Sequence, residues 1–316
     1  MKMDMEHGTR MKTIVIGFVA VICCLWPAGA ETFTGGGAVF DLGTGARLLA
    51  MGGAFVGLAN DASALFLNPA GLGWSDGFRI LSSFERRLGS ASLGTIAACF
   101  SRFGLGVHLL DLGRLTLTDP TGNPVGEFTY RNIGLVAGAG LRASDVPILQ
   151  NIPFADTMAV GLRLRVLRVD TLDAGDATAL AFDVPVLFRS EKLPFDDEIL
   201  TGFGVGLVLE NLIAPPIRYA NGHQEQWERA LTMGLSMEFV DHVTMAIDLT
   251  SERCLRLGAE WRPMAPLAIR TGLRHEGTWI PSLGLGVQFG VYALDLTFVS
   301  HPLLTNQLRA SFSVSL

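Results

Sequence analysis

The run from Leu255 to Leu316 decides the fold. It opens LRLGAEWRPMAPLAIRTGLRHEG (Leu255–Gly277) and continues SLGLGVQFGVYALDLTFV (Ser282–Val299). Leu283, Leu285, Val287 and Phe289 alternate with Ser282, Gly284, Gly286 and Gln288. Leu255, Leu257, Ala259 and Trp261 alternate with Arg256, Gly258, Glu260 and Arg262, and Leu267, Ile269 and Leu273 alternate with Arg270, Gly272 and Arg274. Tyr292, Leu294, Leu296 and Phe298 oppose Asp295 and Thr297, and Leu308, Ala310, Phe312, Val314 and Leu316 oppose Arg309, Ser311, Ser313 and Ser315. A strict period of two marks strands whose two faces meet different surroundings. Just upstream, Val243, Met245, Ile247 and Leu249 repeat the pattern against Thr244, Ala246, Asp248 and Thr250.

Counting backwards, further strands are expected near 78–86, 90–100, 103–112, 127–142, 156–169, 177–189, 201–211 and 229–239. With the six C-terminal ones they make fourteen. The number is even, and the lengths are near the 9–11 residues a tilted strand needs to cross a bilayer. About 17 residues per strand plus connection suit hairpins and leave no room for crossover helices.

Composition agrees. Apolar residues make up 49%, glycine adds 37 residues, only 17% are charged, and mean hydropathy is +0.38. These values exclude a disordered chain, which needs low hydrophobicity and high charge, and they argue against an ordinary soluble enzyme. Yet the longest apolar run after the N-terminal region is LLAMGGAFVGLA (Leu48–Ala59), broken by two central glycines and too short to span as a helix. Strands resolve the conflict, because only every second residue faces lipid. A soluble β-sandwich also alternates, but its water-facing side is usually rich in Lys, Glu and Thr. Here that side carries Gly, Ser, Arg, Asp and Glu, which suit a crowded lumen. With 24 basic and 30 acidic residues the net charge is -6. No basic stripe exists beyond Arg86-Arg87 and Arg163, Arg165 and Arg168, so no nucleic-acid partner is expected.

Residues 1–30 read as a secretory signal peptide. Lys2, Arg10 and Lys12 precede the apolar run Thr13–Trp26, Pro27 breaks it, and Ala28-Gly29-Ala30 supplies a small-residue cleavage site. Met11 serves as a start as well as Met1. Cys23 and Cys24 follow Ile22 and do not fit a lipidation site. Cleavage after Ala30 removes three basic and two acidic residues, taking the net charge from -6 to -7. Cys99 and Cys254 remain and read as small apolar strand residues.

If the first strand runs outward, the short turns near 240–242, 263–266 and 290–291 face the periplasm with the C-terminus. The longer loops near 113–126 and 212–228 face out. Phe239, Trp261, Phe289 and Tyr292 then girdle one interface, and Trp279 and Phe298 the other.

The segment 31–77 is different in kind. It is rich in Gly and Ala and reads as a compact plug for the lumen of the barrel 78–316. Fourteen strands fall between side-chain-filled small barrels and open porins, so the lumen needs filling. Arg47 to Leu58 is expected to pack as a short helix. Asp61 is expected to cap a second, which Asn68-Pro69 ends. Two enzyme-like motifs occur and lack their context. The glycine turn in VFDLGTGARL (Val39–Leu48) is followed by no βαβ unit. Gly73-Trp74-Ser75-Asp76-Gly77 matches a nucleophile elbow but follows a Pro-Gly turn and precedes a strand. The histidines are scattered without ligand spacing, and His275-Glu276 and His301 read as outer-loop residues. No enzyme activity, metal or cofactor is expected.

The block GARLLAMGGAFVGLANDASALFLNPAGL (Gly45–Leu72) resembles the N-terminal signature of PorV/PorQ-like outer-membrane proteins, relatives of the FadL hydrophobic-compound transporters. Asn68-Pro69-Ala70 matches the NPA triplet of the FadL-type hatch. GLVLENLIAPPIRY (Gly206–Tyr219) and the C-terminal hairpins resemble the same family, so the likeness covers nearly the whole chain after residue 30. It implies an all-β, transmembrane antiparallel barrel of about fourteen strands with a small N-terminal hatch in the lumen. FadL-like members pass apolar molecules, often sideways through the wall near the hatch; PorV-like members serve type IX protein secretion. The outer loops here, about 14–17 residues at most, are shorter than a FadL-type ligand groove uses.

The expectation is therefore an outer-membrane channel of a diderm bacterium for small hydrophobic molecules, with membrane lipid and an apolar ligand as partners. The alternatives are a secretion accessory with secretion-system proteins as partners, or a structural barrel. Hatch residues expected to matter are Arg47 and Asp61, pairing with luminal charges, Asn68, bonding to wall backbone, and Pro69 and Ala70. The same five residues also suit a plain role in capping and ending turns.

Overall fold

A computed structural model describes residues 36–87, 91–172, 175–190, 199–240, 242–302 and 305–316. The expected signal peptide lies outside the described residues. The strands are β1 (Phe78–Arg87), β2 (Ala91–Phe100), β3 (Phe103–Thr118), β4 (Pro124–Arg142), β5 (Met158–Thr171), β6 (Gly175–Ser190) and β7 (Leu200–Ile213). They continue with β8 (Ile217–Arg218), β9 (Gln224–Glu225), β10 (Ala230–Phe239), β11 (Val243–Thr250), β12 (Leu255–Met264), β13 (Leu267–His275), β14 (Trp279–Phe289), β15 (Tyr292–Val299) and β16 (Gln307–Ser315). β8 and β9 form a small hairpin; the other fourteen close an antiparallel barrel in which β1 pairs with β16. Closure leaves no sheet edge unpaired, as a sheet in lipid requires.

Alternation places the faces as expected. On β14, Leu283 and Leu285 are 62% and 54% exposed, while Ser282 just before them is 4% exposed and Gly284 between them is buried. On β11, Asp248 is buried inward and Met245 and Ile247 are exposed outward. Trp261, Phe289 and Tyr292 stand exposed at the end that holds the C-terminus, and Trp279 and Phe298 at the other.

Strand extents differ from expectation where local chemistry extends a ladder. Most of 113–126 is strand, not loop, because β3 and β4 pair out to Thr118 and Pro124. The Asp119 carboxylate closes the tip by accepting the Thr121 and Asn123 backbone N–H groups, both at 2.9 Å. The 212–228 loop contains the β8–β9 hairpin. Short connections at the C-terminal end hold only in part, since Arg142 and Met158 are joined by a longer stretch with two single 3-10 turns. Cys99 lies on β2 as expected, but Cys254 lies in the turn before β12; both are free and buried. His275 ends β13, with its ring tilted against Trp279 at a centroid distance of 4.6 Å, instead of lying in a loop.

Residues Gly36–Trp74 run inside the wall as short pieces: 3-10 turns at Gly36–Phe40 and Pro69–Trp74, and helices at Ala46–Ala50 and Ala64–Leu67. The expected helix to Leu58 stops at Ala50, because Gly52 and Gly53 take φ of +64° and +84°. Leu48, Met51, Phe55, Leu58, Leu65 and Leu72 of this segment are fully buried. They fit because the wall facing them carries glycine. A Cβ on Gly272 would run into the Gly52 nitrogen, and one on Gly140 into the Pro69 carbonyl. The inward glycines thus make room for backbone lying directly against backbone. Charged inward residues pair: Arg309 with Glu85, Arg163 with Asp183, and Arg270 with Asp295.

Candidate functional site

Two groups of contacts tie the luminal segment to the wall. The first centres on Arg47. Its guanidinium donates to Glu260 on β12 at 2.9 Å and 3.2 Å, to the Asp61 carboxylate at 2.7 Å, and to the Asn60 side-chain carbonyl at 2.7 Å. Glu260, 1% exposed, also accepts from Arg270 of β13 and pairs with Arg262 at 2.7 Å. Burial disfavours the Arg47 charge, but Glu260 and Asp61 outweigh that and hold its pKa above the usual value. Asp61 does not take the N-cap position of the following helix; Ser63 does. The carboxylate nevertheless accepts the Ser63 N–H at 2.7 Å, and the Asp61 carbonyl accepts the Ala64 N–H. Asp61 therefore serves both the turn and the ion pair.

The second group surrounds Asn68, which is fully buried. Its side-chain amide donates to the Val56 carbonyl at 2.8 Å and to the Val186 carbonyl of β6 at 3.3 Å, and its oxygen accepts the Ala70 N–H at 3.2 Å. One residue thus ends a helix, opens a 3-10 turn with Pro69 at its start, and reaches wall backbone. The wall here is irregular. β5 and β6 pair as far as Val160–Val186 and resume in the same register at Arg163–Asp183. Gly161 and Leu162 are unpaired in between, opposite Pro185 and Val184, because proline has no N–H for the ladder. Pro69 and Ala70 lie behind this gap; a Cβ on Gly161 would meet the Ala70 nitrogen at 2.8 Å and Pro185 at 2.9 Å. On the far side of β6 the register with β7 shifts, and Asn211 sits in the bulge with φ +55°. Asp183 steadies it, accepting the Asn211 N–H at 2.7 Å and pairing with Arg163 at 2.6 Å and Arg165 at 2.8 Å. Arg163 also donates to the Phe66 carbonyl at the end of the second helix.

Several of these partners were not singled out from sequence: Glu260, Asp183, Arg163 and Asp248. Asp248 accepts the Phe55 and Val56 N–H groups at 2.7 Å and 2.9 Å. All four share one signal, a charged residue on the inward parity of a strand. Ser75 of the elbow-like motif lies between a 3-10 turn and β1, without the strand–helix geometry of a nucleophile. Among the described residues no group of metal-ligating side chains occurs.

The luminal segment separates two cavities. One of about 710 Å³ faces the C-terminal end and is lined by Arg47, Asp61, Arg262 and Asp295. The other, about 120 Å³, faces the opposite end and is lined by Phe40, Asp41, His108, Arg165, Glu210 and Trp227. Asp41 is exposed, but to this cavity inside the barrel and not to open solvent. Removal from bulk water, then Glu210, raises its carboxyl to about 7. The folded state holds this proton between roughly pH 4 and pH 7 while the unfolded chain releases it, so Asp41 costs stability increasingly as pH rises through that window. Melting in detergent at pH 5 and pH 8 should show a loss at pH 8 that Asp41→Asn reduces; an equal loss in both proteins would rule the assignment out.

The class defined so far is a closed fourteen-stranded membrane-type barrel with a chain segment inside its lumen. Its structural neighbours are hydrophobic-compound transporters of the FadL family. The monoaromatic hydrocarbon channel CymD aligns at 16% identity over 87% of this chain and 98% of its own, with a TM-score of 0.58. The Ralstonia pickettii toluene transporter TbuX aligns at 14% identity over 86% and 98%, with a TM-score of 0.56. A Pseudomonas aeruginosa FadL homologue aligns at 12% identity over 86% and 98%, with a TM-score of 0.52. No family model matches the sequence, and no curated protein does. The likeness is one of fold; the neighbours themselves are a channel, a transporter and a FadL homologue.

Proposed function

We propose that this chain is a FadL-like outer-membrane channel for small hydrophobic molecules, closed by residues 31–77 acting as a hatch. The observation that carries the reading is the pairing gap at Gly161-Leu162 with Asn68-Pro69-Ala70 behind it. A closed barrel resists lateral exit because strand–strand hydrogen bonds must break in lipid, where they cannot be replaced by water. Here two pairs are already missing, so a solute that moves the NPA turn reaches the bilayer at little cost. Arg47, Asp61 and Asn68 hold the turn in place against that displacement.

The test is Asn68→Ala in planar bilayers. Three hydrogen bonds are lost, of which the one to Val186 crosses to the wall; at about 1 kcal/mol for that one, the open population rises roughly fivefold. Increased conductance and faster toluene entry into liposomes are expected; an unchanged trace would sink the hatch. The localisation follows the same reading. Protein from outer membranes should begin at Glu31 by N-terminal sequencing, having been exported with residues 1–30 as its signal. An N-terminus that retains Thr13–Trp26 would count against cleavage. The PorV-like resemblance of Gly45–Leu72 supports a second reading, a secretion accessory, which predicts recovery of large secretion-system proteins on gentle purification.

A further inference from the structure

The connection between β7 and β10, residues 214–229, folds back on the barrel mouth away from the C-terminus, the outer mouth on the channel reading. Its residues sort by face. Ile217, Tyr219 and Trp227 are buried, whereas Arg218, Asn221, His223 and Gln224 are exposed. The buried three pack in one apolar group with Leu167 of β5, Ala179 of β6 and Val39 of the luminal segment. The Trp227 ring lies 6.2 Å from that of Phe40 and against Gly37, where a Cβ would meet it at 3.1 Å. This strap and the luminal segment therefore close on each other, and both line the 120 Å³ cavity.

Little main chain holds the strap to the wall. β6 outruns its ladder with β7, which ends at Phe182–Ile213, so its edge over residues 175–181 is left open by β7. Among the described residues the strap takes that edge at one bridge, Ala177–Tyr219, where the Ala220 N–H donates to the Asp176 carbonyl at 3.1 Å. Its underside is fastened by apolar burial, a contact that an entering hydrophobic solute can replace. A chain of polar contacts then leads from the strap to the hatch. Asn211, at the foot of the strap, donates from its side chain to the Glu228 carbonyl and accepts from the Arg165 guanidinium at 2.7 Å. Arg165 sits 5.7 Å from the Trp227 ring and 5.3 Å from the Phe40 ring, and it pairs with Asp183. Asp183 also holds Arg163, which donates to the Phe66 carbonyl two residues before Asn68. Strap and hatch share these partners, so displacing one disturbs what holds the other. We propose that residues 214–229 are a second gate, a strap latched by Trp227 on Phe40 that closes the outer mouth and opens in concert with the hatch. This rests on the channel reading and adds to it a control point at the other end of the lumen.

A disulfide across the bridge is the test. The Ala220–Asp176 bond flanks Ala177 and Tyr219 and makes them a narrow pair, with Cα atoms about 4.5 Å apart and within reach of a disulfide. Ala177→Cys with Tyr219→Cys should link under mild oxidant and pin the strap shut. In liposomes the linked protein should pass toluene at about a tenth or less of the rate of its reduced form, because the open state is removed, and reductant should restore the rate. The unmodified protein, with Cys99 and Cys254 buried and free, should not respond to oxidant. Equal flux in the linked and reduced forms would overturn the second gate. So would cysteines that stay free, since the strap would then not lie on β6. Trp227→Ala should raise the flux by about two- to tenfold, the worth of one aromatic pair, and Trp227→Phe should leave it near that of the parent. An unchanged rate in Trp227→Ala would overturn the latch. Asn68→Ala added to the linked protein should leave its flux low; a rise to the level of unlinked Asn68→Ala would overturn the concerted opening. Absence of toluene flux from the unmodified protein and from every reduced variant has another meaning. It ends the channel reading and the strap's role with it, whereas flux that ignores the disulfide ends the strap alone.

Discussion

Glu260→Ala should lower the stability of the barrel by about 3–5 kcal/mol, the penalty for removing one partner from a buried ion pair. Glu260 is 1% exposed and, among the described residues, is the one wall carboxylate that meets both Arg47 of the luminal segment and the wall arginines Arg262 and Arg270. Truncation leaves Arg47 and Arg270, themselves mostly buried, facing one another with less counter-charge. Asp61 and Asp295 each hold one of them still, so the loss is of a shared hub and not of every contact. Glu260→Gln keeps the side-chain volume and some acceptor capacity but not the charge, and should fall between. The measurement is the temperature at which unheated protein loses its anomalous gel mobility, supported by a melting curve. A shift worth under 1 kcal/mol for Glu260→Ala would mean that Arg47 does not depend on the wall, and the anchoring of the luminal segment would have to be sought at Asn68 and Asp248.

Period-two alternation carries parity, and parity was enough to read the barrel. It tells that Asp248, Glu260, Arg270 and Arg309 all point inward and that Ile247, Trp261 and Leu283 point outward. Pairing is another matter. Arg47 and Glu260 are 213 positions apart, and nothing local to either distinguishes Glu260 from other inward carboxylates as its partner. Which residues meet across a lumen depends on strand order, shear and the path of the enclosed segment, all of them properties of the closed structure. The short elements of 36–77 show the opposite limit. Their apolar content suggested a helix through Leu58, but the chain breaks at Gly52-Gly53, where burial against wall backbone outweighs helix propensity. The gap in the wall had one legible sign that went unused. Pro185 lies inside a strand otherwise read as continuous, and proline there removes a ladder donor wherever it falls. The extension of β3 and β4 had a sign too, in Asp119-Pro120-Thr121-Gly122, a tight-turn sequence in the middle of the expected loop.

Gly272→Ala should raise conductance by a still larger factor than Asn68→Ala, because it acts on packing that cannot relax. The added Cβ would collide with the backbone nitrogen of Gly52 and come within 2.6 Å of the Gly52 Cα. Neither is the end of a flexible side chain. The same stretch of the segment already touches Gly258 through Met51, so it has no free space to move along the wall. Gly272 itself sits in β13, paired with Gly258 on one side and Ser282 on the other, and its strand has no reason to give way. Overpacking of this kind costs about 1–3 kcal/mol. If the strain falls on the seated hatch and not on the wall, it becomes a roughly five- to 150-fold rise in the unseated population. Gly94→Ala on β2 is the control: a Cβ there meets nothing within 4 Å, and conductance should not change. Both variants should keep the gel mobility of the folded barrel. A Gly272→Ala protein that stays folded and conducts like its parent would mean that the segment at Gly52 can retreat without opening a path. The seal would then lie at the Asn68 turn alone.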